Sequence, residues 1–334
     1  MNRKLIIISF LFLILSCGIS YAMDDFVEDL TPSPEKQERV TLKGVPAKDQ
    51  DGSRRWLLSV GIRKFADTRI TPLTYTAKDA KSIEAYFRQD QVPDSQIYLL
   101  VDETATKENI IQALETIRGK IAPPDTFMFF FSSHGVGDNA GNTYFVTFDT
   151  VLDELSQTAL PMQHIKETVQ NFGCHNVVML ADTCHSGGVK SLKQQNEEDY
   201  NRIVRAAGKQ TRVAILTSSR THETSAESPQ WGHGAFTYYI LEGLAGTADN
   251  FPKDGQVSVT ELFDHVMIAV PRATNRAQHP SGKFSYNWPG KKEAAIPFGK
   301  VLKTVSPGGD AGPSHTDRDD GPKGDDWNSI INNE

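Results

Sequence analysis

Phe127-Met128-Phe129-Phe130-Phe131 is an unbroken apolar run that leads into Ser132, Ser133, His134 and Gly135. It reads as a buried strand, because no helical period interrupts it. A second apolar run, Val177 to Ala181, leads into Asp182-Thr183-Cys184-His185-Ser186-Gly187-Gly188. A buried strand that ends at a reactive side chain followed by glycine is how an open α/β sheet presents chemistry at its carboxyl edge. One such strand offers a histidine and the other a cysteine, which points to a thiolate nucleophile with its base.

The rest of the chain between residues 54 and 302 alternates strand and helix. Trp56 to Ile62 is a buried strand, Gln96 to Val101 another, and Arg212 to Ser218 a third; Thr143 to Phe148 is short and alternating. Thr76 to Arg88 carries Ala80, Ile83 and Phe87 on one helical face. Thr106 is placed to cap a helix running to about Ile121, before Pro123-Pro124. Pro161 to Asn171, Gly234 to Leu244 and Val259 to Val270, the last capped by Ser258, are also helical. Strands separated by helices imply an α/β three-layer sandwich: a mainly parallel central sheet of about six strands with helices on both faces.

With 334 residues and 38% apolar content the chain can bury one sizeable core. A net charge of −7 without a long basic run argues against nucleic acid as a partner. Residues 1–22 read as an export signal: Arg3 and Lys4 precede an apolar stretch from Leu5 to Leu15 that is too short to span a bilayer. Two exits stand open, cleavage after Ser20-Tyr21-Ala22 or lipidation at Cys17 within Leu15-Ser16-Cys17. The expected destination is periplasmic or secreted, with a lipid anchor in the second case. Residues 23–53 read as a linker or pro-segment, 54–302 as one catalytic domain, and the Gly-, Pro- and Asp-rich 303–334 as a disordered tail. Oligomeric state is not legible.

Cys184 and Cys174 flank the second apolar strand. Five extended residues span about 16 Å, whereas a disulfide needs Cα atoms within about 7 Å. Cys184 is therefore a free thiol. His134 is the candidate base, and the amides of Gly135 and Cys184 could hold a developing oxyanion. His185, adjacent to Cys184, should point away from it. The pairs Cys174-His175 and Cys184-His185 do not form a zinc site, because they lie at opposite ends of one strand and lack the tight spacing zinc uses. No metal or cofactor is expected.

The Ser-His-Gly and Asp-x-Cys-His-Ser-Gly elements resemble the caspase-like cysteine peptidases, especially bacterial members of the metacaspase type. The separation of fifty residues between His134 and Cys184 agrees. So do Trp56-Leu57-Leu58-Ser59-Val60-Gly61-Ile62, the helix with Ala77-x-Asp79-Ala80, the segment from Ser218-Ser219 to Glu227, and Gly232-His233-Gly234-Ala235-Phe236-Thr237. The resemblance implies the caspase-hemoglobinase fold and peptide-bond hydrolysis by Cys184 with His134. It also implies an S1 pocket floored by Asp182, which would select Arg or Lys at P1, with Ser218 and Glu223 nearby. Metacaspases commonly carry Asp-Asp-Gln before Thr-Ser-Ala, where this chain has Thr221-His222-Glu223. The second acid of the pocket is thus missing or replaced by Glu223. Asp149, Asp153 and Glu154 are the nearest match to the family's calcium-binding acids, but no acid lies between Cys184 and Glu197, and calcium dependence is not expected. Residues 189–211, with Lys190, Lys193, Arg202, Arg205 and Lys209, correspond to an intersubunit linker open to self-cleavage. The alternative is a catalytically silent caspase-like module that binds peptides or partners.

Overall fold

Alternation along the strands decides the architecture. In β3 (Thr126–Gly137), Met128 and Phe130 face one way and Phe127, Phe129 and Phe131 the other, and all five are buried. A strand buried on both sides must lie between two helical layers. The computed structural model describes residues 52–138, 140–185, 201, 204–205, 211–220, 223–250, 252–284 and 296–303, and in it β3 is central. β1 (Arg55–Gly61), β2 (Ile97–Val101), β6 (Asn176–His185) and β7 (Arg212–Thr217) run parallel to it. β11 (Ser281–Phe284) closes one edge antiparallel to β7, giving the order β11-β7-β6-β3-β1-β2. β4 (Thr143–Phe145) hangs antiparallel from β3, and β5 (Leu160–Pro161) from β4.

α1 (Thr76–Gln89), α5 (Ala235–Glu242) and α6 (Val259–Ala273) cover the face of Met128 and Phe130, burying Ile83, Phe87, Phe236, Ile240 and Leu262. α2 (Lys107–Arg118) and α4 (Met162–Asn171) cover the other with Ile110, Leu114, Ile117 and Ile165. The one-turn α3 (Leu155–Thr158) connects β4 to β5. This is the expected three-layer sandwich. The expected caps are present as well: Thr106 accepts from the Asn109 amide at 3.2 Å, and Ser258 forms a capping box with Glu261.

Some boundaries differ. α2 stops at Arg118, because the Lys120 and Ile121 amides both bond to the Ile117 carbonyl and close the helix. More consequentially, β3 and β6 do not stop before their histidine and cysteine. β1 ends opposite Ser132 and β7 opposite Ala181, but β3 and β6 remain paired as far as Gly135 and His185. Each supplies the other's backbone partners, so the strand outlasts its apolar run. Short strands that local pattern does not announce complete the chain: β8 (Glu227–Ser228) with β9 (His233–Gly234), and β10 (Gln256–Ser258) with β12 (Pro297–Lys300). Residues 1–51, the tail beyond 303 and nearly all of 189–210 lie outside the described residues; within that last stretch Asn201, Val204 and Arg205 are helical.

Candidate active site

The site is built on the part of β3 and β6 that projects past their neighbours. His134 and Cys184 are register partners on these adjacent parallel strands. Their positions share a face and lie about 5 Å apart across the sheet. The register also pairs Ser132 with Asp182 and Gly135 with His185. The side chains of Cys184 and His185 lie outside the described part of the chain.

His134 is 4% exposed and fixed from two directions. The Thr71 carbonyl accepts from its Nε2 at 2.8 Å, and the Phe65 ring stacks on it at 5.4 Å. A carbonyl oxygen can only accept, so Nε2 carries the hydrogen and Nδ1 is the basic nitrogen of the neutral ring. Cys174, by contrast, is buried among apolar groups, donates to the Asn176 carbonyl at 3.3 Å and has its thiol pushed up to about 12 by desolvation. It is not bridged to another cysteine.

Asp182 lies two positions before Cys184 on β6, 5% exposed. Its Oδ1 accepts from the Ser225 hydroxyl at 2.6 Å and its Oδ2 from the Thr237 hydroxyl at 2.9 Å. Burial drives its pKa upward, against the pull of Ser225, Thr237 and the Ser218 hydroxyl. Ser218 is buried beside it, its amide on the Ala181 carbonyl and its own carbonyl held by Gln278 Nε2.

A second buried acid stands next to Asp182, and it is Asp79 of α1. Desolvation and the charge of Asp182 raise the Asp79 pKa well above the usual carboxylate range. Its Oδ1 is 2.6 Å from His233 Nδ1, and its Oδ2 accepts from the Gly234 amide at 3.3 Å. Gly234 is the spacer: a Cβ there would fall 2.8 Å from Asp182 Oδ2 and 3.3 Å from Asp79 Oδ2, so only glycine lets the two acids approach. A sequence signal for Asp79 exists. It sits on the buried face of α1, four residues before Ile83 and seven before Tyr86, where a carboxylate is out of place unless it has work to do.

Glu223 makes its contacts with residues other than the partners of Asp182. Its carboxylate takes the His279 amide at 2.6 Å, His279 Nδ1 at 2.7 Å and the Arg220 amide at 3.2 Å, which tie down the loop before Ser225. Asp149 accepts from the Lys107 amide and the Thr147 hydroxyl, and Asp153 pairs with Arg69, so these acids have protein partners. A cleft of about 590 Å³ between α5 and α6, lined by Trp231, Tyr239, Glu242 and Ile268 among others, contains none of His134, Cys184, Asp182, Asp79, Ser218 and Glu223.

The parallel sheet with paired histidine and cysteine positions on its protruding strands defines an α/β protein of the caspase class. The chain belongs to the caspase domain family, whose model matches residues 54–286. Its similarity to metacaspase-2 of Arabidopsis thaliana is 27% identity over 215 residues, covering 52% of this chain and 49% of the relative. The chain thus spans about half the length of that curated relative, and the resemblance to metacaspase-type sequences is borne out. Protein GSU0716 of Geobacter sulfurreducens shares the fold at TM-score 0.53 and 17% identity, over 75% of this chain and all of that one. The Drosophila initiator caspase Dronc aligns at TM-score 0.46 and 13% identity, over 69% of this chain and 78% of its own.

Proposed function

We propose that the protein is a cysteine endopeptidase that works through His134 and Cys184 and cleaves after Arg or Lys. The observation that carries this reading is the register pairing of those two positions beyond the sheet edge. With Nε2 held by Thr71, the Nδ1 lone pair of His134 takes the Cys184 proton. The thiolate attacks the substrate carbonyl, and the amides of Gly135 and Cys184 receive the oxyanion. Collapse of the tetrahedral adduct breaks the C–N bond, and the proton on His134 passes to the leaving amine. Water, losing a proton to His134, then hydrolyses the thioester.

Asp182 and Asp79 support the P1 preference, because two carboxylates in a dry site are stabilised by a cation that brings its own charge. Entry of a guanidinium or ammonium would exchange the Ser225 and Thr237 hydroxyls on Asp182 for a charge-assisted contact. The Lys and Arg residues of 189–211 make that linker a substrate for the same activity. The basic and apolar pattern of residues 3–15 supports export of the protein.

The test is a P1 scan with fluorogenic peptides on wild type and Cys184→Ala. Cleavage after Arg or Lys that the variant abolishes is the expected result. Cleavage after Asp alone would overturn the S1 reading. A Cys184 that no thiol-reactive probe labels would favour the silent binding module. Purified wild type should also yield fragments cut within 189–211 that the variant does not.

A further inference from the structure

His233 has no part in the mechanism above, yet it is one of the most enclosed titratable groups of the protein. It and Asp79 are each 1% exposed, with Nδ1 and Oδ1 2.6 Å apart. The charged groups that act on this pair come from three elements. α1 gives Asp79 itself and Lys78, β6 gives Asp182, and β8 gives Glu227, whose carboxylate is bound to the Thr74 and Tyr75 amides. From α5 comes only the neutral Thr237 hydroxyl, on Asp182. Among the described residues, neither Asp79 nor Asp182 has an ion pair to Arg or Lys.

Two neighbouring carboxylates in a site closed to water cannot both stay charged cheaply, since each disfavours ionisation of the other. The His233–Asp79 contact needs one proton between its two heavy atoms. Resting on the S1 reading above, we infer that His233 is a positioning residue for substrate selection. It and Asp79 hold one proton beyond the neutral imidazole's own while the pocket is empty, and the pair releases that extra proton to solvent when a cationic P1 side chain enters, leaving a neutral His233 whose Nδ1–H donates to ionised Asp79. The pair then contributes a full negative charge only in the occupied pocket. Burial raises Asp79 and brings His233 down to about 4, both of which favour one proton held jointly over two separate charges. The coupling makes affinity for basic P1 residues rise with pH, separately from any titration of His134.

Steady-state cleavage of one Arg-P1 peptide by wild type, His233→Asn and Asp79→Asn tests this. For wild type, KM should fall with rising pH by up to about tenfold per unit on the acid side and then level off, because one proton leaves per cation bound. In H233N an amide still donates to Asp79 but gives the extra proton no second site, so Asp79 titrates alone and the pH at which KM levels off should shift to the acid side of the wild-type value. D79N should hold a high KM at every pH. The pH dependence of kcat should be common to all three, because neither substitution touches His134 or Cys184. An H233N enzyme that cleaves after Arg with a KM profile levelling off at the wild-type pH overturns the inference and leaves the S1 reading standing; a wild type that never cleaves after Arg or Lys overturns both. Should H233N fail to fold, His233→Gln carries the same comparison. Calorimetry with agmatine, a guanidinium without an acyl carbon, in two buffers of different ionisation heat should show release of about one proton at mildly acid pH. Equal heats in the two buffers overturn it.

Discussion

Asp125 and Asp79 are both 1% exposed, and their carboxylates are shifted in opposite directions. Asp125 lies just before β3, at the amino end of the sheet. Arg54 reaches it with Nε at 3.0 Å and Nη2 at 2.7 Å, and Trp56 Nε1 and the Ala122 and Arg54 amides complete the shell. These donors outweigh desolvation and hold the pKa below the usual range. Asp79, at the carboxyl end, has a histidine, one amide and a second acid for company. Both carboxylates are closed off from the surface; one was given a cation and the other was not. An acid satisfied by its own fold belongs to the structure, and an acid left short of positive charge is available to a ligand.

The contrast predicts a separation of activity from stability. Cys184→Ala or His134→Ala should lower peptide cleavage by about a thousandfold or more, read from kcat/KM; His134→Ala should also lower the thermal midpoint, because its buried ring packs on Phe65, whereas Cys184→Ala should not. Asp182→Asn should lower kcat/KM for Arg and Lys substrates by about a hundredfold, the worth of a charge-assisted contact of about 3 kcal/mol. Its folded state should be no less stable, because a desolvated charge is removed. A large loss of stability in D182N would break the comparison.

Asp125→Asn should do the reverse, costing about 2 kcal/mol in urea denaturation, since it strands Arg54, which is partly exposed and so partly screened, and leaving P1 preference unchanged. The pH dependence separates the two acids by sign. Asp125, depressed in the fold, adds stability that is present above its unfolded value and is lost as pH falls through its folded one. Asp79, elevated, adds stability that is present below its unfolded value and is lost as pH rises toward its folded one. Urea midpoints should therefore fall less steeply in acid for D125N than for wild type. At neutral pH, D79N should be more stable than wild type. The smallest effect is expected on the opposite face of the sheet, where Thr106→Ala should cost about 1 kcal/mol through loss of the α2 cap without altering cleavage.

Much of this molecule is legible along the chain because it depends on neighbours in sequence. The apolar runs mark β1, β3, β6 and β7, the spacing of Ala80, Ile83 and Phe87 marks the buried face of α1, and Thr106 and Ser258 mark helix starts. The two-residue strands β8 and β9 are not legible. Their residues are polar and have no pattern of their own; they are extended because each completes the other's hydrogen bonds. Glu223 shows the same limit from the other side. Its place in the loop before Ser225 is legible, but its engagement by His279, distant in sequence, is not.

By itself the sequence determined the layers and the candidate nucleophile and base, because apolar period and residue chemistry are local properties, and its resemblance to the family pointed to one acid beside them. Only the tertiary structure decided that His134 and Cys184 are partners on the same rung, that β3 and β6 outlast their apolar runs, and that α1 lends Asp79 to the acid of β6. Register and burial are relations between segments far apart in the chain. They arise when the strands pair and α1 closes over Gly234, and no stretch of sequence holds them alone.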